Sequence, residues 1–457
     1  MMRNETIYQF EDEFHLDLNN RSKASIYTMM RSTNDKNFFS FNIKKSLTRL
    51  KGLKNVSEIK TAKAIHLYDK MFSLLASRRG GLQQTLDQPI KIKFHILNWL
   101  LRILVLVLMT RLIVLIAVEK YDCDLYLANP FSGSKGAKKN AMLLFILLES
   151  VYIYGLREYT LLLEETGRMR IIRILFMLEK RGFNPGMLKM NNHRSKQFQK
   201  YCYSILINIL INTITLTIVM LFIIIYLRTF HLTVHSTLMH SMFHIIYMFT
   251  EFITFFVLII SAMCSAAYLM VMMSFYIGRF NTITDTMHQL NTNNSVSCTI
   301  LSELNYRLID LLNDFGQWND DTKFLFQYCV LFTSAYADFD FFIGLLYGLE
   351  PDGSTMAVTI IAISSHLLLF ICSYFASQFY HKSIEIHRCY CILMSKTKLH
   401  KGQIGLKSME ILDRLDSKSI GVHMGNFGIF QRSLSLTLLL ENASFIMLLS
   451  CNVRLLI

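Results

Sequence analysis

Residues Gly425 to Ile457 read GNFGIFQRSLSLTLLLENASFIMLLSCNVRLLI, and this stretch decides the fold. From Ser433 to Ile457 there are 25 residues whose only charged or amide side chains are Glu441, Asn442, Asn452 and Arg454. At about 1.5 Å per residue a helix of that length reaches roughly 37 Å, enough to cross a hydrocarbon core of about 30 Å. Polar side chains inside such a helix belong on a wall that faces water or another helix rather than lipid. A spanning helix placed here is expected to leave no soluble domain behind it, so the expected activity lies in the membrane.

Composition agrees with that expectation. Of 457 residues, 52% are hydrophobic and only 18% are charged, a balance poor in charge for a soluble protein. The excess of 47 Lys and Arg over 33 Asp and Glu raises a nucleic-acid reading. The basic residues lie between apolar runs, however, where they set membrane orientation, and no nucleic-acid partner is expected. The first 30 residues hold no apolar core of the secretory type, so the first span is expected to serve as the targeting signal.

Working back from the terminal run, six more apolar runs meet the length criterion. They extend from Phe94 to Val118, Ala141 to Leu163, Tyr201 to Leu227, Met242 to Ser274, Phe324 to Leu349 and Met356 to Phe379. The segment Leu163 to Lys200 carries nine Lys and Arg against three acids, and Tyr380 to Ile420 carries eight against four. His231 to Ser241 and Glu350 to Thr355 carry no Lys or Arg. This bias predicts an all-α membrane protein with seven transmembrane helices, a cytoplasmic N-terminus and an extracellular C-terminus. Orientation, the placement of all four prolines outside the runs and the absence of an NPxxY-like sequence all disfavour a heptahelical G-protein-coupled receptor. The expected organisation is a cytoplasmic region (1–93), four spans with their loops (94–274) and a cytoplasmic helical extension (275–323). Two further spans (324–379), a cytoplasmic anchor segment (380–432) and the terminal helix (433–457) complete it.

The stretch GNFGIFQRSLSLTLLL, Gly425 to Leu440, preceded by a basic segment and followed by a short terminal run, resembles the carboxyl-terminal signature of insect gustatory receptors. In that family the ending reads approximately Thr-Tyr, five apolar residues, Gln-Phe. Here Ser444 and Phe445 stand at the first pair, Ile446 to Ser450 fill the five places, and Cys451 and Asn452 replace Gln-Phe. The resemblance implies a cation channel of sensory-neuron plasma membrane, a homo-tetramer or a hetero-tetramer with related subunits, opened by a small-molecule tastant bound in the outer half of each subunit. It also implies a last helix split into a cytoplasmic part and a pore-lining membrane part. The departures at Cys451 and Asn452 leave a second possibility, a gustatory-receptor-like protein that does not conduct and acts as a modulatory subunit.

The residues themselves give reasons for the same division. Ile404, Leu406, Met409, Ile411, Leu412 and Leu415 recur at helical spacing among charges, and so do Ile300, Leu301, Leu304, Leu308, Leu311 and Leu312. Each stripe serves either as an anchor between subunits or as packing within one. On the terminal helix Phe445, Leu448, Leu449 and Asn452 share one face and Ser444, Met447 and Cys451 the adjacent one, and either face is a candidate pore lining. Apolar rings from several subunits gate by dewetting; the ordinary alternative is helix packing or lipid contact. Arg454 near an outer mouth would repel cations unless it turns away or pairs with an acid.

For the ligand, charged groups deep in spans imply a partner or a cavity. Glu251 and the pair Asp338 and Asp340 lie at matching depths in the outer half, so they are expected to face one cavity with His244, Tyr247, Tyr336, Tyr347 and His366. Either these residues meet a polar ligand, or the acids pair with Arg102 and Arg111 of the first span. His231, His235, His240 and His244 are irregularly spaced, so no metal is expected, and no cofactor is implied. No GxGxxG, Walker or HExxH pattern occurs, which predicts that the chain is not an enzyme.

Overall fold

A backbone in lipid must satisfy its own N–H and C=O groups, which leaves a long apolar run little choice but helix. The computed structural model describes residues 56–74, 77–79, 92–118, 126–131, 137–234, 238–292, 296–347, 352–397, 403–416 and 420–454. Most of the expected region 1–93 lies outside the described residues. The helices are α1 (Glu58–Leu74), α2 (Ile92–Ala117), α3 (Ala137–Glu165), α4 (Arg170–Arg181) and α5 (Asn192–Val234). They continue as α6 (Leu238–Asn291), α7 (Cys298–Phe341), a π-helical turn (Phe342–Tyr347), α8 (Asp352–Lys396), α9 (Gln403–Asp416) and α10 (Arg432–Arg454). Among the described residues there is no strand, only an isolated antiparallel bridge between His423 and Ile429.

Four stretches, Phe94–Ala117, Asn192–Tyr226, Ser241–Asn291 and Val358–Lys396, are long and apolar enough to cross a membrane, the mark of a membrane protein. The described residues of the other three runs read from the sequence also fall in helices, α3, α7 with its π turn, and α10, but these are more polar. Ile211, Ile214, Ile218 and Phe222 on α5 stand exposed at helical spacing, as do Met356, Ile360, Ile363, Leu367 and Phe370 on α8. Such stripes are too apolar for water and fit a hydrocarbon environment.

The helices are longer than the apolar runs within them. α5, α6, α7 and α8 contain 43, 54, 44 and 45 residues, and at about 1.5 Å per residue each exceeds the roughly 40–45 Å of a whole bilayer. Their polar ends gather into a helical base. In it Phe315 stacks on Phe379 and meets Phe280 edge-on, with Trp318 beside them. Arg279 donates to both Asp310 and Asp314, and Arg194 grips Asp285 with two parallel bonds of 2.8 Å. Three buried groups tie α7, α8 and α9 together, because Tyr390 donates to Asn305 Oδ1 at 2.6 Å while Asn305 Nδ2 donates to Ser408 Oγ at 2.9 Å. Ser297 caps α7 by accepting from the Ile300 N–H.

Among the described residues three helices have no counterpart among the apolar runs: α9, whose stripe the sequence reading picked out, and α1 and α4, which it did not. α1 buries Ala64, Ile65, Tyr68 and Phe72, and α4 buries Ile171, Leu175 and Leu178, each at three- and four-residue spacing. Both are amphipathic and too short or too polar for the length criterion.

Candidate functional site

A cavity of about 130 Å³ lies among α2, α3, α5, α6, α7 and α8. Leu108, Met142, Ile224, Phe255 and Ile361 supply apolar walls, and Pro130 and Phe131 of the segment 126–131 close one side. Three carboxyl groups interrupt this lining: Glu149 from α3, Glu251 from α6 and Asp340 from the last turn of α7. After Phe341, one residue beyond Asp340, the chain leaves α-helical geometry for the π turn, which contributes Ile343 to the wall. An extra residue per turn widens a helix locally, and such turns are common beside functional sites.

Glu251 has its own counter-charge. Arg111, 4% exposed on α2, donates to Glu251 Oε1 at 2.5 Å and to the carbonyls of Leu127 and Ala128, both at 2.7 Å. Ala128 holds a left-handed backbone at φ 49°, and the Asn129 side chain accepts from the Phe131 N–H. The Tyr247 ring lies 4.4 Å from the guanidinium carbon. One arginine thus satisfies a buried acid, two backbone carbonyls and an aromatic face, and pins the segment that carries Pro130 and Phe131 over the cavity.

Of the eight ligand candidates read from the sequence, the structure brings Glu251 and Asp340 to this cavity. Tyr247 belongs to the Arg111 cluster. Asp338 lies 3.4 Å from His366 Nε2, close enough for an ion pair, although that oxygen completes no hydrogen bond in the structure. His244 is buried on α6. Tyr336 stacks on Tyr152 in an aromatic row that joins α7 to α3 through Phe145, Phe332 and Phe339. The Tyr347 side chain lies outside the described residues. The pairing of acids with first-span arginines holds for Glu251 and Arg111, whereas Arg102 pairs with Glu158 of α3 instead. Glu149 was missed by the sequence reading. It sits alone in an apolar stretch with no motif, and only its depth in the run would have singled it out.

The second candidate site is α10. The chain reaches it through a hairpin in which Val422 accepts from the Phe430 N–H at 2.8 Å and Gly428 from the Met424 N–H at 2.9 Å. This hairpin is docked on α7, since Asn319 Oδ1 accepts from the His423 N–H and the Lys323 carbonyl from the Gly425 N–H. Gly425 sits at φ 54°, a backbone that favours glycine, and a Cβ there would meet Gln327 Oε1 unless the Gln327 side chain moved aside. Beyond the hairpin α10 leans on α7, the π turn and α8 by one narrow strip. Leu434, Leu438, Asn442 and Ile446 form that strip at four-residue spacing, and Ser334 donates to Asn442 Oδ1 at 2.7 Å.

Among the described side chains of α10, those facing away from this strip are uncovered. Leu440 is 60% exposed, Met447 70% and Leu448 58%, and Ser444, Phe445 and Cys451 are exposed with them. The side chains of Leu449, Asn452 and Arg454 lie outside the described residues. Ser444, Met447 and Cys451 point farthest from the packed strip, and Leu440 belongs with them although the sequence reading did not name it. Phe445 lies nearer the edge of that strip and is the least exposed of the large apolar residues of the helix outside it. Known protein families and curated proteins offer no match to this chain.

Proposed function

We propose that this chain is a subunit of a ligand-gated, non-selective cation channel of the insect gustatory-receptor type, spanning the plasma membrane of sensory neurons seven times with its C-terminus outside. The observation that carries the reading is the state of α10, a helix fixed at its base by a docked hairpin and, among its described side chains, covered along one strip. Its uncovered faces carry Leu440, Ser444, Met447, Leu448 and Cys451. Copies of that face around a common axis form a ring whose apolar members exclude water when close together and admit ions when apart.

A route from ligand to gate is supported by adjacency. The π turn that contributes Ile343 to the cavity also touches α10. A ligand that favours one arrangement of the end of α7 therefore biases the position of α10 by as much as it prefers that arrangement. The base of polar helix ends, with the exposed Leu406 and Met409 on α9, fits the assembly of subunits below the bilayer. A small tastant is the ligand, and no cofactor, metal or nucleic acid takes part.

Recording from cells that express this chain alone, against a panel of sugars, amines and bitter compounds, tests the reading. Ligand-evoked cation current that is blocked by thiol reagents in Met447→Cys supports it, and silence of a chain shown to be at the cell surface contradicts it. The ending favours a second reading, because Cys451 and Asn452 replace the family's Gln-Phe and Arg454 follows. On that reading the chain is a non-conducting, modulatory subunit. It predicts no current alone but altered current when the chain is expressed with a conducting relative.

A further inference from the structure

Two of the cavity's three acids lack a counter-charge. Glu251 is neutralised by Arg111, and Asp338, on the same helix as Asp340, turns to His366 instead. Glu149 and Asp340 face the cavity from α3 and α7, and among the described residues no hydrogen bond or ion pair reaches either carboxyl group. Asp340 is only 7% exposed, so bulk water does little to screen it. The two carboxyl groups stand near enough to act on each other across the site, with Tyr336 beside them. Two carboxyl groups that share an apolar space repel one another when both are ionised, and an external cation relieves that repulsion.

The rest of the wall states what else the occupant must be. It is aliphatic and aromatic, and an apolar cavity of about 150 Å³ is enough to hold benzene. A space of about 130 Å³ therefore admits a body of roughly five or six carbons. A hydrated inorganic ion would leave most of this lining against water. Among the described residues no three His, Cys, Asp or Glu side chains, the cavity's acids included, come together in a way that could hold a metal ion.

We propose that the cavity binds a small organic cation, a protonated amine on a compact apolar body, with its ammonium between Glu149 and Asp340. This rests on reading the cavity as the ligand site of the receptor. The ammonium donates to the two carboxylates while the hydrocarbon part lies against Leu108, Phe131, Phe255 and Ile361. A neutral molecule of the same shape gains the second contact and not the first.

Isothermal titration of the full-length chain in lipid nanodiscs compares cyclopentylamine, protonated at neutral pH, with cyclopentanol. The amine is expected to bind at least about tenfold tighter than the alcohol, in keeping with charge-assisted hydrogen bonds. This comparison needs no variant. Glu149→Gln with Asp340→Asn keeps side-chain size, and it is expected to abolish the preference while leaving the alcohol's affinity in place. Phe255→Trp, which fills the cavity and spares both acids, is expected to weaken both probes. Equal affinity for amine and alcohol, no binding of the amine, or an undiminished preference in the double variant overturns the proposal. Current recordings separate it from the channel reading. Carboxyl-dependent amine binding without current sinks the channel and leaves the cation site standing. Currents evoked by a neutral sugar, unchanged by Glu149→Gln and Asp340→Asn, leave the channel and sink the cation site.

Discussion

Arg111 shows how much one side chain organises here. Its guanidinium serves Glu251 and the Leu127 and Ala128 carbonyls, all away from water. Removing one partner of a buried ion pair leaves the other uncompensated at a cost of about 3–5 kcal/mol. Glu251→Gln should therefore lower the unfolding midpoint of the detergent-solubilised chain by that order, and an unchanged midpoint would show the pair to be dispensable. Replacing Arg111 and Glu251 together by Met and Leu should recover part of the loss, because no buried charge then remains. Gly425 is the second sensitive residue. A methyl group there collides with Gln327 Oε1 in a left-handed backbone, so Gly425→Ala should cost about 1–3 kcal/mol. Gly316, inside α7 with nothing within 4 Å of an added Cβ, offers the contrast: Gly316→Ala should be neutral or stabilising by up to about 1 kcal/mol. Thermal unfolding of the two variants in the same detergent checks both signs.

At the scale of elements, α10 has a strip and an open face, and chemical labelling distinguishes them. Cysteines placed at Leu440, Ser444 and Met447 should react with a charged thiol reagent at least about tenfold faster than cysteines at Leu438 and Ile446, which lie on the packed strip. Uniform rates around the helix would mean that it does not rest on α7 as described. Four of the apolar runs were legible as membrane-crossing helices because long stretches poor in charge leave only one way to satisfy a backbone in lipid. The extensions of α6, α7 and α8 were partly legible: the stripe from Ile300 to Leu312 was visible, but the uninterrupted helix through Asn291 was not, since its polar residues resemble a loop until their partners are known. Arg279 illustrates the point, as its partners Asp310 and Asp314 lie on another helix. The resemblance implies a split ahead of α10, where Gly421, Gly425 and Gly428 stand. That they make a hairpin docked on Asn319, Lys323 and Gln327 depends on residues about a hundred positions away, which no local pattern reports. At the cavity, Glu251 and Asp340 were legible as charges at an improbable depth; Glu149 carries the same signal and was overlooked, while the π turn has no local signature.

On the scale of the whole molecule, the account assigns the exposed stripes of α5 and α8 to lipid, the base formed by the helix ends to the cytoplasm and the open face of α10 to neighbouring copies. An epitope fused after Ile457 should be reached by antibody on intact cells, and one reached only after permeabilisation would invert the proposed topology. The most direct test is imaging the purified assembly in lipid by electron cryo-microscopy. The account predicts several copies around one axis, four on the family resemblance, with Leu440, Ser444, Met447 and Cys451 of every α10 facing a central water-filled path. A solitary protomer, or an assembly in which those side chains meet acyl chains, would contradict it.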